Sequence, residues 1–259
     1  MANLLVLALA YGLGIRRLWR RAGKGRVITK WRAVCFVLGT LTLGFALLSP
    51  VDALSNDLSW VHMCQHMLLM VVAAPLIVAG APGMVLPWVL PVRWRSPLLR
   101  ILAGSNNSAL AAIYSFFWNP CAIWLLHAIG LWIWHLPKLY QWALHDPLVH
   151  DVAHLTFFLV GCLFWRVVVD VRNQRTLPPL LSVFYLFTTS IHTMFLGVFM
   201  ALAPHVWYPI YAERTLVWGL TALEDQQLAG AIMWMPSCMV YAVVAVIVFA
   251  VWMDQSQQT

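Results

Sequence analysis

Apolar runs long enough to cross a bilayer follow one another along this chain, separated by short polar connections. A hydrocarbon core of about 30 Å needs roughly 20 predominantly apolar residues per helical crossing. About seven such runs are present, approximately 2–15, 33–50, 60–81, 116–136, 150–170, 180–203 and 226–252. They predict an all-α polytopic membrane helix bundle forming a single integral membrane domain over 1–259. The balance agrees: 62% of the 259 residues are hydrophobic and 10% charged, with mean hydropathy +0.80, far from a soluble domain. The first run is short for a full crossing, so it reads either as a span or as a tilted interfacial helix, leaving six others. Because "RRLWRRAGKGR" follows that run, it does not resemble a secretory signal. The stretch 83–115, with Pro87, Pro91, Pro97 and "GSNNS", predicts a loop carrying an interfacial helix.

Basic residues mark cytoplasmic loops. Arg16, Arg17, Arg20, Arg21, Lys24, Arg26, Lys30 and Arg32 fall between the first two runs, Arg93, Arg95 and Arg100 in the next loop on that side, and Arg166, Arg172 and Arg175 in the third. Only Lys138 and Arg214 fall opposite. The acids divide the other way: Asp170 and Asp254 lie inside, the remaining seven outside. This arrangement predicts an outer N-terminus if seven runs cross, and a cytoplasmic C-terminus. The net charge of +7 then reflects topology and anionic headgroups, and no basic reading helix or stacking motif points to nucleic acid.

All nine histidines avoid the cytoplasmic loops. His62 and His66 open the third run, His135 closes the fourth, His150 and His154 open the fifth, and His127 and His192 lie deeper. Residues four apart share a helix face with Cβ atoms about 6 Å apart. His62/His66 and His150/His154 therefore each present two imidazoles in one direction, where chance predicts roughly a third of one such pair. Facing each other, the pairs would make a four-nitrogen metal site. Imidazole suits copper, zinc, iron and nickel, and thioethers favour Cu(I). Met63 and Met70 flank the His62 face, while Cys64 points away, so the methionines are the better additional ligand candidates. His127, His135 and His192 are further candidates, because ionisable groups deep in a bilayer are costly and by default functional.

Each of these groups also has a plainer explanation. A histidine at a helix end, such as His145 or His205, commonly hydrogen-bonds a carbonyl at the interface, and methionine in a span commonly just packs. Asp151 and Asp146 are placed to accept a ring N–H and fix the imidazole tautomer, or simply to cap the fifth helix. Asp225 in "EDQQLAG" reads first as the N-cap of the last span and second as polar support for the histidines. Cys35, Cys64, Cys121, Cys162 and Cys238 lie singly and form no C-x-x-C. No nucleophile elbow, phosphate loop or dinucleotide fingerprint is present, and the tryptophans near span ends are interfacial anchors.

"HMCQHMLLMVVAAPLIVAGAP", "WIWHLPKLYQWAL", "HDVAHLTFFLVGCLFWRVV" and "EDQQLAGAIMWMP", in this order and spacing, resemble the polytopic CtaG family of cytochrome c oxidase assembly factors, over about residues 33 to 250. The resemblance maps the family's two H-x-x-x-H motifs onto His62/His66 and His150/His154, its W-H-x-P onto Trp134, His135 and Pro137, and its D-Q-x-x-A-G onto Asp225, Gln226, Ala229 and Gly230. It implies a multi-pass protein of the bacterial cytoplasmic membrane, not an enzyme, with cytochrome c oxidase subunits or a copper chaperone as partners.

The first functional expectation is an assembly factor that holds copper, as Cu(I), at its outer face for delivery to the oxidase. The alternatives are a haem-binding protein with two histidine ligands, a histidine-rich di-iron membrane enzyme, and a metal-free scaffold whose outer loop 204–225 docks oxidase subunits.

Overall fold

The computed structural model describes residues 2–102, 115–169 and 177–257, and all of its regular elements among these are helical. The chain begins with α1 (Ala2–Ala22), which ends at Gly23, a residue at φ +92°. The helix therefore runs past the expected end at residue 15, through Arg16, Arg17, Arg20 and Arg21. Arginine is a good helix former, so nothing stops the helix until glycine supplies a left-handed residue. α1 docks through Tyr11, which stacks on Phe36 at 3.6 Å and donates to the Gly80 carbonyl at 2.7 Å.

α2 (Lys30–Leu48), with Thr29 as its cap, runs to the short α3 (Pro50–Ser55). The most buried of the long apolar helices follows. It comprises α4 (Ser59–Met67), a π-helical stretch (Leu68–Ala73) and α5 (Ala74–Ala79). α2, α10 and α12 pack around it, where α10 is Pro147–Val168 and α12 is Ala222–Gln257.

The π-helical stretch follows from Pro75. A proline has no N–H and its ring clashes with the carbonyl four residues back. The chain widens instead, and the Ala74 N–H reaches the Leu69 carbonyl five residues back. The Met70 carbonyl then loses its α-helical donor, Ala74, and its π-helical donor would be Pro75, which has none. Trp165 of α10 fills the gap, its indole N–H donating to Met70 O at 2.8 Å. Trp165 is buried at 2% exposure, so this bond is sheltered from water.

The segment between spans holds α6 (Pro82–Val85), a 3-10 turn (Leu86–Val89) and α7 (Val92–Leu102), an amphipathic helix where one was expected. "GSNNS", Asp170, Arg172 and Arg175 lie outside the described residues. α8 (Pro120–Trp134) starts from the Asn119 side-chain cap. It is followed by α9 (Pro137–His145), bent from it by 72°. The expected continuous run 116–136 is thus broken at both ends, because the residue before a proline is driven to extended backbone and Leu136 stands at ψ 130° ahead of Pro137.

α10 leads to α11 (Pro179–Ala201), which pairs extensively with α12. Small residues allow the close approach: a Cβ added at Gly230 would lie 2.5 Å from the Gly197 carbonyl oxygen and from the Ala201 nitrogen. Among the described residues, five helices are long and apolar enough to cross a membrane, or six if the bent α8–α9 pair is one span. The expected count of about seven is corrected downward, because α1 places its arginines inside what would have to be its spanning length. Most of the described arginines and the histidine pairs occupy opposite ends of the bundle, with Arg214, which donates to the Asn56 carbonyl, on the histidine side: His150 opens α10 and Arg166 closes it, donating to the Phe117 carbonyl.

Replacing Trp165 with Phe keeps most of the buried ring and removes the N–H that serves Met70. The orphaned buried carbonyl is expected to cost about 1–3 kcal/mol, read as a lowered thermal unfolding midpoint of the purified protein in detergent.

Candidate metal centre

Three helix ends meet at one rim of the bundle, and each brings histidine. The first two turns of α4 carry His62 and His66, the first two of α10 carry His150 and His154, and His135 is the residue on which α8 ends. The His62 and His66 rings lie 4.4 Å apart between centroids, His150 and His154 4.1 Å. Across the helices, His62 is 5.4 Å from His150 and 5.6 Å from His154, and His66 is 5.4 Å from His154 and 5.7 Å from His135. His62, His66, His135 and His154 are all buried, and His150 is half-buried above them.

Buried hydrogen bonds from distant parts of the chain set these positions. The Asp225 carboxylate, fully buried, accepts from the backbone N–H of Ser59 at 2.7 Å and of Trp60 at 3.2 Å. Those are orphan donors of the first turn of α4, so Asp225 caps the histidine-bearing helix. Its own helix is capped by Thr221 and Glu224, which exchange hydrogen bonds in a capping box. This corrects the reading of Asp225 as its own helix's N-cap: a capping box already supplies that function, which frees the next carboxylate to reach across. Gln65 ties α4 to the end of α2 and to α3, its amide donating to the Ala46 carbonyl and to Asp52 Oδ1.

His135 has its tautomer fixed. Its Nδ1 lies 2.7 Å from the Leu131 carbonyl, which can only accept, so Nδ1 carries the proton and Nε2 keeps its lone pair. The backbone of His135 is held too, its carbonyl accepting from Tyr208 at 2.8 Å. Tyr208 stacks on Tyr140 at 3.9 Å. Tyr211 donates to the Ser55 carbonyl at 3.1 Å, which leaves Tyr140 as donor in their 3.2 Å hydroxyl contact. Burial pushes the Tyr208 and Tyr211 phenols up, so both remain protonated donors. These three tyrosines, with Asp52 and Gln65, went unread in the sequence. Tyr140 stands inside the quoted "WHLPKLYQWAL", yet no spacing rule connects it to 208 or 211.

Imidazole nitrogens line this site without partners. His62 Nδ1, both nitrogens of His66, and the Nε2 atoms of His135, His150 and His154 are buried and make no hydrogen bond among the described residues. Buried polar atoms are normally paired, and ring nitrogens gathered this closely without partners ask for a shared proton or cation. His62, His66 and His154 offer one nitrogen each, all within 4.8 Å of one another. Metal–imidazole bonds of roughly 2 Å put ligand nitrogens at most about 4 Å apart, a gap that small ring rotations close. The residues fit a transition ion bound by imidazole.

The other sequence candidates fall elsewhere. Met70 lines a small cavity with His66 and His135, while Met63 is packed in the core beside Tyr140 and Phe157. His127 and His192 form a separate pair, 5.5 Å between rings. Asp146 is the side-chain cap of α10, accepting from Leu148 and Val149, and Asp151 is exposed. Of the two expected uses of Asp146, the structure displays capping. Cys64 is half-buried, and His145 and His205 are exposed.

Fold and site together define a polytopic helical membrane protein with a buried histidine cluster at one rim. The family described as cytochrome c oxidase caa3 assembly factor (Caa3_CtaG) matches residues 9–255, nearly the whole chain, and the protein belongs to that family. It is similar to uncharacterized proteins of Mycobacterium bovis and Mycobacterium tuberculosis, each 25% identical over 98% of this chain and 38% of the relative. An uncharacterized protein of Mycobacterium leprae is 24% identical over 99% of this chain and 39% of its own length. The chain thus spans about two-fifths of the length of these curated relatives. No solved structure matches.

Replacing Asp225 with Ala removes both cap bonds from α4 and is expected to cost about 1–2 kcal/mol. Asp225→Asn, which retains one acceptor oxygen, should recover part of that loss. Thermal unfolding of the two variants checks the order: wild type, Asn, Ala.

Proposed function

We propose that this protein assists assembly of a cytochrome c oxidase by holding copper at its histidine rim and releasing it to an oxidase subunit or receiving it from a copper chaperone. Copper is the cargo here. The observation that supports the reading is the set of unpartnered imidazole nitrogens contributed by α4, α8 and α10, in a chain whose family is defined by oxidase assembly. His62, His66 and His154 would hold the ion, with His135 presenting a preset Nε2 beside them. His150, half-buried one turn above His154 and within electrostatic reach of Asp52 and Asp151, suits the first contact with an incoming cation. Neutral imidazoles alone give a site that holds and yields copper without a compensating charge to trap it.

The arginine-rich ends of the bundle face the cytoplasm in this reading, which sets the histidine rim at the outer face of the bacterial cytoplasmic membrane. Haem is disfavoured by packing: the rim rings already lie within 6 Å of their neighbours, and the adjoining cavity has only about 20 Å³, room for about one water. A porphyrin would have to prise the three helices apart.

The double substitution His62→Gln/His154→Gln should remove one copper ion per chain from protein loaded anaerobically with Cu(I), read by elemental analysis. In cells, oxidase activity should fall to the level of a strain lacking the protein and recover partly with added copper. Full oxidase maturation with His62, His66, His150 and His154 all replaced would instead favour a metal-free scaffold.

A further inference from the structure

The rim does not account for all the unpartnered polar groups in the bundle. Roughly 12 Å down α8 from His135, His127 meets His192 of α11 with rings 5.5 Å apart and planes at 69°. His127 is 1% exposed. Its Nδ1 and both ring nitrogens of His192 are buried and have no hydrogen-bond partner among the described residues. Trp124 and Phe164 close the pair off, with ring centroids 5.3 Å from His192 and 4.9 Å from His127. A neutral imidazole always carries one donor and one acceptor. Holding two such rings against each other at this depth, with donors and acceptors unmet, is unfavourable unless something satisfies them.

A cavity of about 20 Å³ links His127 of this pair with the rim, lined among others by His66, Met70, His127, His135 and Met233, while His192 stands behind His127 outside its wall. It is large enough for about one water or one ion. Its nitrogen and sulfur donors are imidazoles and thioethers, the set that favours Cu(I) among biological metals, and Thr193, Ser237 and Tyr241 line it as well. None of the residues lining it is acidic, and because the Born cost of burying an ion grows with the square of its charge, a monovalent ion suits this depth better than a divalent one. With metal–nitrogen bonds of roughly 2 Å, one ion can bridge two imidazoles at this centroid spacing once the edge-to-face rings turn their nitrogens toward each other.

We infer that His127 and His192, with the thioethers of Met70 and Met233, form a second Cu(I) station inside the membrane, separate from the rim and in exchange with it through the cavity. This deepens the copper-holding reading and rests on it for the identity of the ion. Movement between stations is ligand exchange at constant oxidation state: a rim imidazole releases the ion as Met70 and then His127 take it.

The test is an anaerobic Cu(I) titration of the full purified chain in detergent against a chromophoric Cu(I) chelator. The wild type is expected to bind two ions per chain, His127→Gln/His192→Gln one, and the variant with His62, His66, His150 and His154 all changed to Gln also one. Copper X-ray absorption of that rim variant should show nitrogen and sulfur scatterers. The sulfur contribution should vanish when Met70→Leu and Met233→Leu, nearly volume-conserving changes, are added. The inference is overturned if the His127/His192 variant binds as much Cu(I) as wild type, or if the rim variant binds none. Loss of ions from the lower-pair variant alone, with the rim variant still binding two, would instead sink the rim reading and leave the deeper station standing.

Discussion

The arrangement at the rim depends on one buried carboxylate. Asp225 belongs to α12, yet its two oxygens hold the first backbone N–H groups of α4. A carboxylate at a helix N-terminus is favoured by charge-assisted hydrogen bonds and by the helix dipole, and burial makes the loss of either partner costly. The bond fixes the height of α4 against α12. Because His62 and His66 lie in the next two turns, it also fixes the height at which their rings meet those of α10.

Further down the same helix, a second constraint keeps the bundle in register. Pro75 forces the π-helical stretch, the stretch strands the Met70 carbonyl, and Trp165 of α10 satisfies it. The widened turn begins two residues after His66 and carries Met70 into the cavity wall. Hydrogen bonds from α12 to the start of α4 and from α10 to the π-helical stretch that continues it hold this span on either side of His62 and His66. The histidines between them are clamped, and their nitrogens can remain unpartnered without the helices sliding to find partners.

Much of this was legible in the residues. The apolar runs near 33–50, 60–81, 150–170, 180–203 and 226–252 became helices with ends shifted by a few residues, because a bilayer-length apolar run has few other ways to satisfy its backbone. The i, i+4 spacing of His62/His66 and His150/His154 placed each pair on one face, which is a property of helix geometry alone. The breaks were harder to read. Pro137 signals an interruption, but not a 72° turn, and the arginines of α1 decide between crossing and lying aside only once the helix is seen to run on to Ala22.

Local sequence therefore determined that this chain is a helical membrane protein, which faces of its helices carry imidazole, and that most of its cations sit at the end of the bundle away from the histidine pairs. It could not determine what meets what. Asp225 is 166 residues from Ser59 and Trp165 is 95 from Met70, and periodicity carries no information about partners that far apart. Only the packing showed that Asp225 caps a foreign helix, that Tyr208 seats the backbone of His135, and that His127 and His192 form a pair of their own. Those contacts depend on the relative rotation and depth of separate helices, which are set by the sum of many side-chain contacts across the whole bundle.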